Sequence, residues 1–456
     1  MMKLAIVLLL VCCGFESCKG QELTPGSYQM SRYQEDWSTL RDSQSLNGYE
    51  RLKYLPLGKN SYLSLGGELR WVYERFGNAY WQAAPVNGYL LQRYLLHSDW
   101  QLGRSTQVFA QLGAGFEEGR RGGPRPIDED ALYVHQAFIG HTFRLNDEFE
   151  LRGRVGRQEL PLGSARLFAF REGPNLRLGH DALRADLTTG ASTHTAFYGR
   201  PHLNRPGLLD NPILDPAETF WGYYYSRSIG QTEKSLDLYY VAQTRQQASY
   251  RELEGQEQRH ILGGRWHGQD GRWRFDHEVM WQFGSVGEQR IRAYTASFLN
   301  EVSWREANWQ PSLGINLEIG SGDRRVGDGV LHTFRTFYQN ASYFGYSAPL
   351  GPANLFDVHP KFHLRPTDRL NLRLEGIFFW RLRSTDALYN SNSDVVWQAD
   401  NDRHYAGWMP LVEASYQLTD QLELFATYNY FFVGSHIQAG GGNDYTYFYT
   451  YCRIYW

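Results

Sequence analysis

Between Leu151 and Arg184 the chain reads LRGRVGRQELPLGSARLFAFREGPNLRLGHDALR, a stretch dense in arginine. A guanidinium presents a planar fork of donors that matches a carboxylate bidentately, so a cluster of them in a channel can hold or pass an acidic solute. Arg152, Arg154 and Arg157 form the centre of an expected selectivity zone, with Arg70, Arg166, Arg171 and Arg177 in support. Arg274, Arg373 and Arg381 hold positions comparable to Arg70 on other strands. The same arginines have a plainer use, pairing with Glu68, Glu74, Glu148, Glu150, Asp276, Glu278 and Glu375 across strands to stiffen a wall. Only Lys3, Lys19, Lys53, Lys59, Lys234 and Lys361 among the 46 Lys+Arg are lysine, which suits an acidic cargo and equally fits a genome rich in arginine codons.

Other chemistry is absent from the motifs. There is no GxSxG, HExxH, P-loop or CxxC, so the sequence is read as a non-enzyme with no cofactor. His359 and His363 have metal-ligand spacing for a helix, but Pro360 and the strand-like KFHLR make them pore-wall or loop residues, with no metal expected. The run SGDRRVGDG, with Asp323 and Asp328, lacks the far acid of a calcium loop and reads instead as a turn and inward-folding segment carrying Arg324 and Arg325.

These residues need elements to position them. Glu148, Glu150, Arg152, Arg154, Gly156 and Gln158 alternate with Phe149, Leu151, Gly153 and Val155, a strand with one charged face. Arg157 lies on the parity opposite to Arg154, so it needs a bulge or bend to turn inward. Pro161, Gly163, Gly173, Pro174 and Gly179 then call for irregular loop. Similar alternation recurs: Leu63, Leu65, Leu69, Trp71 and Tyr73 against Ser64, Gly66, Glu68, Arg70 and Glu74, and Trp273 to Phe283 against Arg272 to Gln282. Leu422, Leu424, Ala426, Tyr428, Tyr430 and Phe432 close the series.

The period of two, repeated without helical periodicity, predicts an all-β transmembrane antiparallel barrel of 16 to 18 strands, an even number near 18 preferred. Long loops are expected at Pro161–Gly179, Arg200–Ala217, Gly320–His332, Tyr346–Asp357 and Thr385–His404, some capping the pore or folding inward. After the N-terminus no apolar run is long enough for a membrane helix. Thirty-one Tyr, 14 Trp and 46 Gly suit interfacial aromatic belts and recurring turns, and a net charge of −3 gives no pull on nucleic acid.

Residues 1–20 read as a secretory signal, with Lys3, the apolar Leu4–Val11 and a small-x-small site at Cys18–Gly20, so that the mature chain starts at Gln21; the alternative is a lipoprotein signal with acylated Cys18. Residues 21–60 are polar and read as a periplasmic lead-in, and 61–456 as the barrel. Cys452 is left as a lone packed or lipid-facing residue. The end, YTYFYTYCRIYW, puts Phe448, Ile454 and Trp456 on one parity, like the strand by which barrel-assembly machinery takes up its clients.

The runs GRVGRQEL, REGPNLR and HDALRAD, with Ser321–Asp357 (SGDRRVGDGVLHTFRTFYQNASYFGYSAPLGPANLFD), resemble the alginate-export family of outer-membrane β-barrels, in scattered motifs from about Tyr28 to Trp456. The resemblance implies a monomeric pore in the outer membrane of a Gram-negative bacterium, bathed in lipid, passing an anionic polysaccharide such as alginate outward through an Arg-lined lumen. By the same resemblance, Arg157 in VGRQ is the most family-like arginine. Two alternatives stand beside it: a porin for uptake of small carboxylates or oligosaccharides, and a structural or adhesive barrel plugged by its loops.

Overall fold

The computed structural model describes residues 26–43, 45–146, 148–230, 232–250, 253–325 and 327–456. The signal segment, Cys18 and Gln21 lie outside them. Eighteen long strands run antiparallel in chain order. They are β1 (Ser61–Gly77), β2 (Asn87–Leu102), β3 (Thr106–Glu118), β4 (Asp130–Arg144), β5 (Phe149–Gln158), β6 (His180–Thr189), β7 (Ser192–Pro201), β8 (Glu218–Ser228) and β9 (Lys234–Tyr250). The second half comprises β10 (Leu253–Asp270), β11 (Trp273–Val286), β12 (Gln289–Ser303), β13 (Ser312–Gly320), β14 (Leu355–Thr367), β15 (Leu370–Arg381), β16 (Tyr405–Gln417), β17 (Leu422–Val433) and β18 (Tyr445–Tyr455). β18 pairs with β1 from Glu68↔Tyr455 to Gly77↔Thr446, so the eighteen strands close into a barrel, and the short strand Leu55–Gly58 pairs with the start of β1 beside that seam.

The strands form where the sequence alternates. On β1, Trp71 and Tyr73 are exposed on the outer face while Ser64, Glu68, Arg70 and Glu74 are buried inside. Outward Trp100, Trp221, Trp273, Trp281, Tyr428 and Phe432 supply the apolar and aromatic exterior that a bilayer requires. Short connections such as 103–105, 190–191, 271–272 and 368–369 lie at one end, the periplasmic end in a barrel of this kind. Long ones leave the other: 119–129, 159–179, 202–217, 321–354 and 382–404.

One expectation is corrected here, and two features of the interior add to the reading. The loops expected at Gly320–His332 and Tyr346–Asp357 are parts of one excursion, 321–354, whose described residues include the short strand Val330–Leu331 and the 3-10 turn Ala341–Phe344. The lumen is not uniformly polar: inward Val72, Leu91, Ile377 and Phe379 are buried against Phe344 and Leu350 of that excursion, because folded-in loops give apolar wall residues something to pack on. The tyrosines are not all in interfacial belts. Tyr445, Tyr447, Tyr449 and Tyr451 face inward on β18, and the Tyr447 and Tyr451 hydroxyls donate to Glu74 and Glu423 at 3.0 and 2.9 Å.

At the short-turn end the N-terminal segment is drawn into the barrel mouth. Arg32 pairs with Glu35 and donates to the Gly67 carbonyl at 2.8 Å, and Lys53, ending the helix Gly48–Lys53, donates to the Trp456 backbone oxygen at 2.8 Å. Burial pushes the Lys53 ammonium down to about 7, with Glu35 4.0 Å away opposing that fall. An undocked segment would carry a lysine titrating near ~10.4, so between pH ~7 and ~10 it binds more protons than the docked one, and docking strengthens as pH rises through that window. Amide protection factors over residues 26–60 are therefore expected to be higher at about pH 9 than at about pH 6.5. Equal or falling protection would contradict this account of Lys53.

Candidate constriction site

Arg70 on β1 stands directly opposite Arg93 on β2 and Arg453 on β18. Adjacent strands lie roughly 4.8 Å apart, so three like charges in lateral register repel unless anions are set between them. The wall supplies two: Glu68 accepts from Arg93 Nε at 2.8 Å and Glu423 from Arg453 Nε at 2.9 Å. The third comes from the 159–179 loop. Glu172 Oε1 accepts from Arg453 Nη1 at 2.7 Å, lies 3.3 Å from Arg70 Nη1 and pairs with Arg93, while Glu172 Oε2 is 3.2 Å from Arg177 Nε. Arg70 also donates to the Glu172 and Pro174 carbonyls, both at 2.8 Å. Arg177 continues to Glu159, 3.3 Å away, and its guanidinium lies 4.4 Å from the Phe170 ring.

The loop crosses the barrel as a strap between walls of opposite charge. Six residues before Glu172, Arg166 pairs with Glu318 of β13, lies 3.9 Å from Glu278 of β11 and stacks 4.0 Å from the Tyr343 ring. β11 lies ten strands on from β1, on the far side of the lumen. Between these ends the strap pairs with the 321–354 excursion through its backbone: Ala169 N donates to Tyr338 O, Tyr338 N to Leu167 O and Asn340 N to Ala165 O, each at 2.9 Å. Arg171, at φ 56°, donates to Phe337 O. The 382–404 loop joins through Asp386, which accepts from Thr333 Oγ1 at 2.7 Å and from the Asp323 amide at 2.6 Å.

The seven arginines singled out above therefore separate. Arg70 and Arg177 meet at Glu172, Arg166 sits on the opposite wall, and Arg171 braces the two loops. Arg154 faces inward near the periplasmic end, 4.7 Å from the Tyr33 ring, with no hydrogen-bond partner on Nε or Nη1 among the described residues. Arg152 lies closer to that rim with its side chain 55% exposed, 3.8 Å from Glu150. Arg157 does not turn inward. The β5 ladder is unbroken on both sides, so Arg157 keeps the outward parity of Val155 and is buried by the 202–217 loop, clamped on Asp181 at 2.7 and 3.0 Å. The expected bulge is absent from β5; β4 carries one instead, where Gln111 pairs with Gln136 and Leu112 with Val134.

Sequence reasoning missed Arg93, Arg453 and Glu172. Arg93 shares its face with Tyr89, Leu91, Leu95 and His97, so that face reads as mixed, and Arg453 meets Arg70 only through the closure of the barrel. The pairing alternative for the arginines is also realised: Arg373 bonds Glu413 at 2.9 Å and lies 3.4 Å from Glu375. His359 sits on strand β14 between Asp357 and Glu375, at 2.6 and 3.0 Å.

A family model described as alginate export matches residues 61–450. Among solved structures, a BenF-like porin from Pseudomonas fluorescens Pf-5 superposes with a TM-score of 0.60 at 11% identity, covering 86% of this chain and 98% of that one. OccK2 (OpdF) of Pseudomonas aeruginosa in complex with glucuronate gives 0.57 at 10% identity, covering 86% and 97%. OccAB1 of Acinetobacter baumannii gives 0.56 at 9% identity, covering 90% and 99%. A comparison with curated proteins returns no match.

Proposed function

The chain belongs to the alginate export family, an outer-membrane barrel of porin fold in a Gram-negative envelope, and on that premise we propose that it passes an anionic saccharide, a uronate polymer moving outward, along an arginine-bearing inner wall. The observation that carries this reading is the lateral register of Arg93, Arg70 and Arg453, which repeats a guanidinium on three successive strands at one level of the lumen. Such a row lowers the barrier for a carboxylate, while the interleaved Glu68, Glu172 and Glu423 keep each contact weak enough for release. In this reading Arg154 and Arg177 extend the row toward the periplasmic mouth.

A second reading, uptake of small carboxylates or acidic oligosaccharides, is favoured by the loops themselves. Segments 159–179, 321–354 and 382–404 fold inward and bond one another, an arrangement that favours short solutes over a polymer. A neighbour in fold, OccK2, was crystallised with glucuronate, and that ligand belongs to OccK2.

Single-channel recording in planar bilayers tests both. The pore is expected to prefer anions and to be blocked reversibly by uronates, with longer oligomers blocking at lower concentration if polymer is the cargo and monomers equally effective if small acids are. No conductance at all would support the plugged structural barrel and sink both readings.

A further inference from the structure

We propose that Glu172 is a tethered occupant of a carboxylate-binding site made by Arg70, Arg93, Arg177 and Arg453, and that the carboxylate of a passing uronate takes its place. The inference rests on the acidic-saccharide reading above and goes beyond it by naming the site and its resident competitor.

Four guanidiniums on one carboxylate exceed what a structural pair uses. Within the row, Arg93 has Glu68 and Arg453 has Glu423, each on the wall itself. Arg70, in the middle, has no wall carboxylate within ion-pair distance among the described residues; its anionic partner is Glu172 and its other acceptors are two backbone carbonyls of the same loop. The barrel thus builds a central cation whose counter-charge arrives on a loop. With Glu68, Glu423 and Glu159 counted against the four arginines, the site without Glu172 carries one positive charge in excess, the charge that one carboxylate neutralises.

The strap is also held on both sides of Glu172 independently of it. Asn175 Nδ2 donates to Asp128 O at 2.7 Å and Gln92 O at 3.0 Å, and residues 165–169 pair with 338–340. Gly173 has open space where a side chain would stand. The Glu172 side chain can therefore rotate out of the arginines while the loop stays in place. A carboxylate on so short a tether acts at an effective concentration on the order of millimolar or more, which a free uronate must overcome.

The test compares wild type with Glu172→Gln and Glu172→Asp in planar bilayers, using sodium glucuronate as probe and glucose as the neutral control, each variant first checked for heat-modifiable migration. Glu172→Gln is expected to lower the half-blocking concentration of glucuronate by about tenfold or more. Glu172→Asp, which withdraws the carboxylate by one methylene, is expected to fall between, with glucose unchanged throughout. A wild type that prefers anions and is blocked by glucuronate, with both variants matching it, would overturn the tethered occupant and leave the acidic-saccharide reading intact. A wild type indifferent to glucuronate and without anion preference would remove that reading and this inference with it. Sensitisation to glucose as well as glucuronate would also overturn the inference, since it would show general widening and not a vacated carboxylate site.

Discussion

Replacing Arg93 and Arg453 together by glutamine is expected to shift the reversal potential strongly toward cation preference. Four guanidiniums face Glu68, Glu159, Glu172 and Glu423 in the wild-type site, and the double variant leaves Arg70 and Arg177 against the same four carboxylates. At an effective dielectric constant near 20, a unit charge 4 Å from the path is worth about 4 kcal/mol, against ~1.4 kcal/mol for a tenfold change, so a permeability ratio altered at least about tenfold is expected. Concentrated salt should mute the effect, because the screening length drops to roughly 3 Å at 1 M. Arg152→Glu provides the contrast: that side chain is 55% exposed at the rim, where solvent screens it, and its reversal should move selectivity little. A double variant with wild-type selectivity at low salt would mean that ions do not pass the Arg93–Arg70–Arg453 row.

The contrast between Arg152 and Arg93 also shows what the sequence could convey about this site. Strand parity was legible: Leu63, Leu65, Leu69, Trp71 and Tyr73 do face out, and Arg70 faces in, because lipid on one side and a polar interior on the other enforce a period of two along each strand. Depth along the barrel was not. Arg152 and Arg154 share a face, yet one lies at the solvated rim and the other under Tyr33, and nothing local in FELRGRVGRQ marks that difference. Lateral register was hidden for a different reason. Arg70 and Arg453 meet because β18 returns to β1, a pairing fixed by the shear of the whole barrel and not by either strand.

Loop destination lay between these cases. The Gly- and Pro-rich composition around Glu172 announced a loop, and the motifs around it announced a family, but the pairing of Leu167 and Ala169 with Tyr338 joins segments some 170 residues apart. Phe334, Phe337 and Tyr338 are buried inside because Leu160, Leu162 and Phe168 of the strap offer them an apolar partner there, a contact that no local pattern marks. Arg157 was misplaced by the same blindness. Its outward parity was readable, but the 202–217 loop that buries it against Asp181 was not, so an inward bend had to be invoked for a residue that needs none.

Excising the strap should have the largest effect on conductance. Gln158 and His180 are directly opposed at the ends of β5 and β6, so residues 159–179 can be replaced by a two-residue Asn-Gly turn without moving either strand. The barrel should still form, since every strand is hydrogen-bonded on both sides by its neighbours and the closure of β18 on β1 does not involve the loop. What is lost is the bridge between Arg70, Arg93 and Arg453 on one wall and Glu318 and Glu278 on the other, together with the backbone partner of residues 338–340 and the Glu159 carboxylate that accepts from Ser31. Open-channel conductance is therefore expected to rise on the order of twofold or more, with noisier currents as the 321–354 excursion loses its anchor, while heat-modifiable migration is retained. Anion preference should change less than conductance, because Arg70, Arg93 and Arg453 lose Glu172 as a neutralising partner while Arg166 and Arg177 leave with the strap and Glu318 and Glu278 lose Arg166. Unchanged conductance in a correctly folded variant would place the conduction path away from the strap, and with it the constriction assigned to Glu172 and the arginine row.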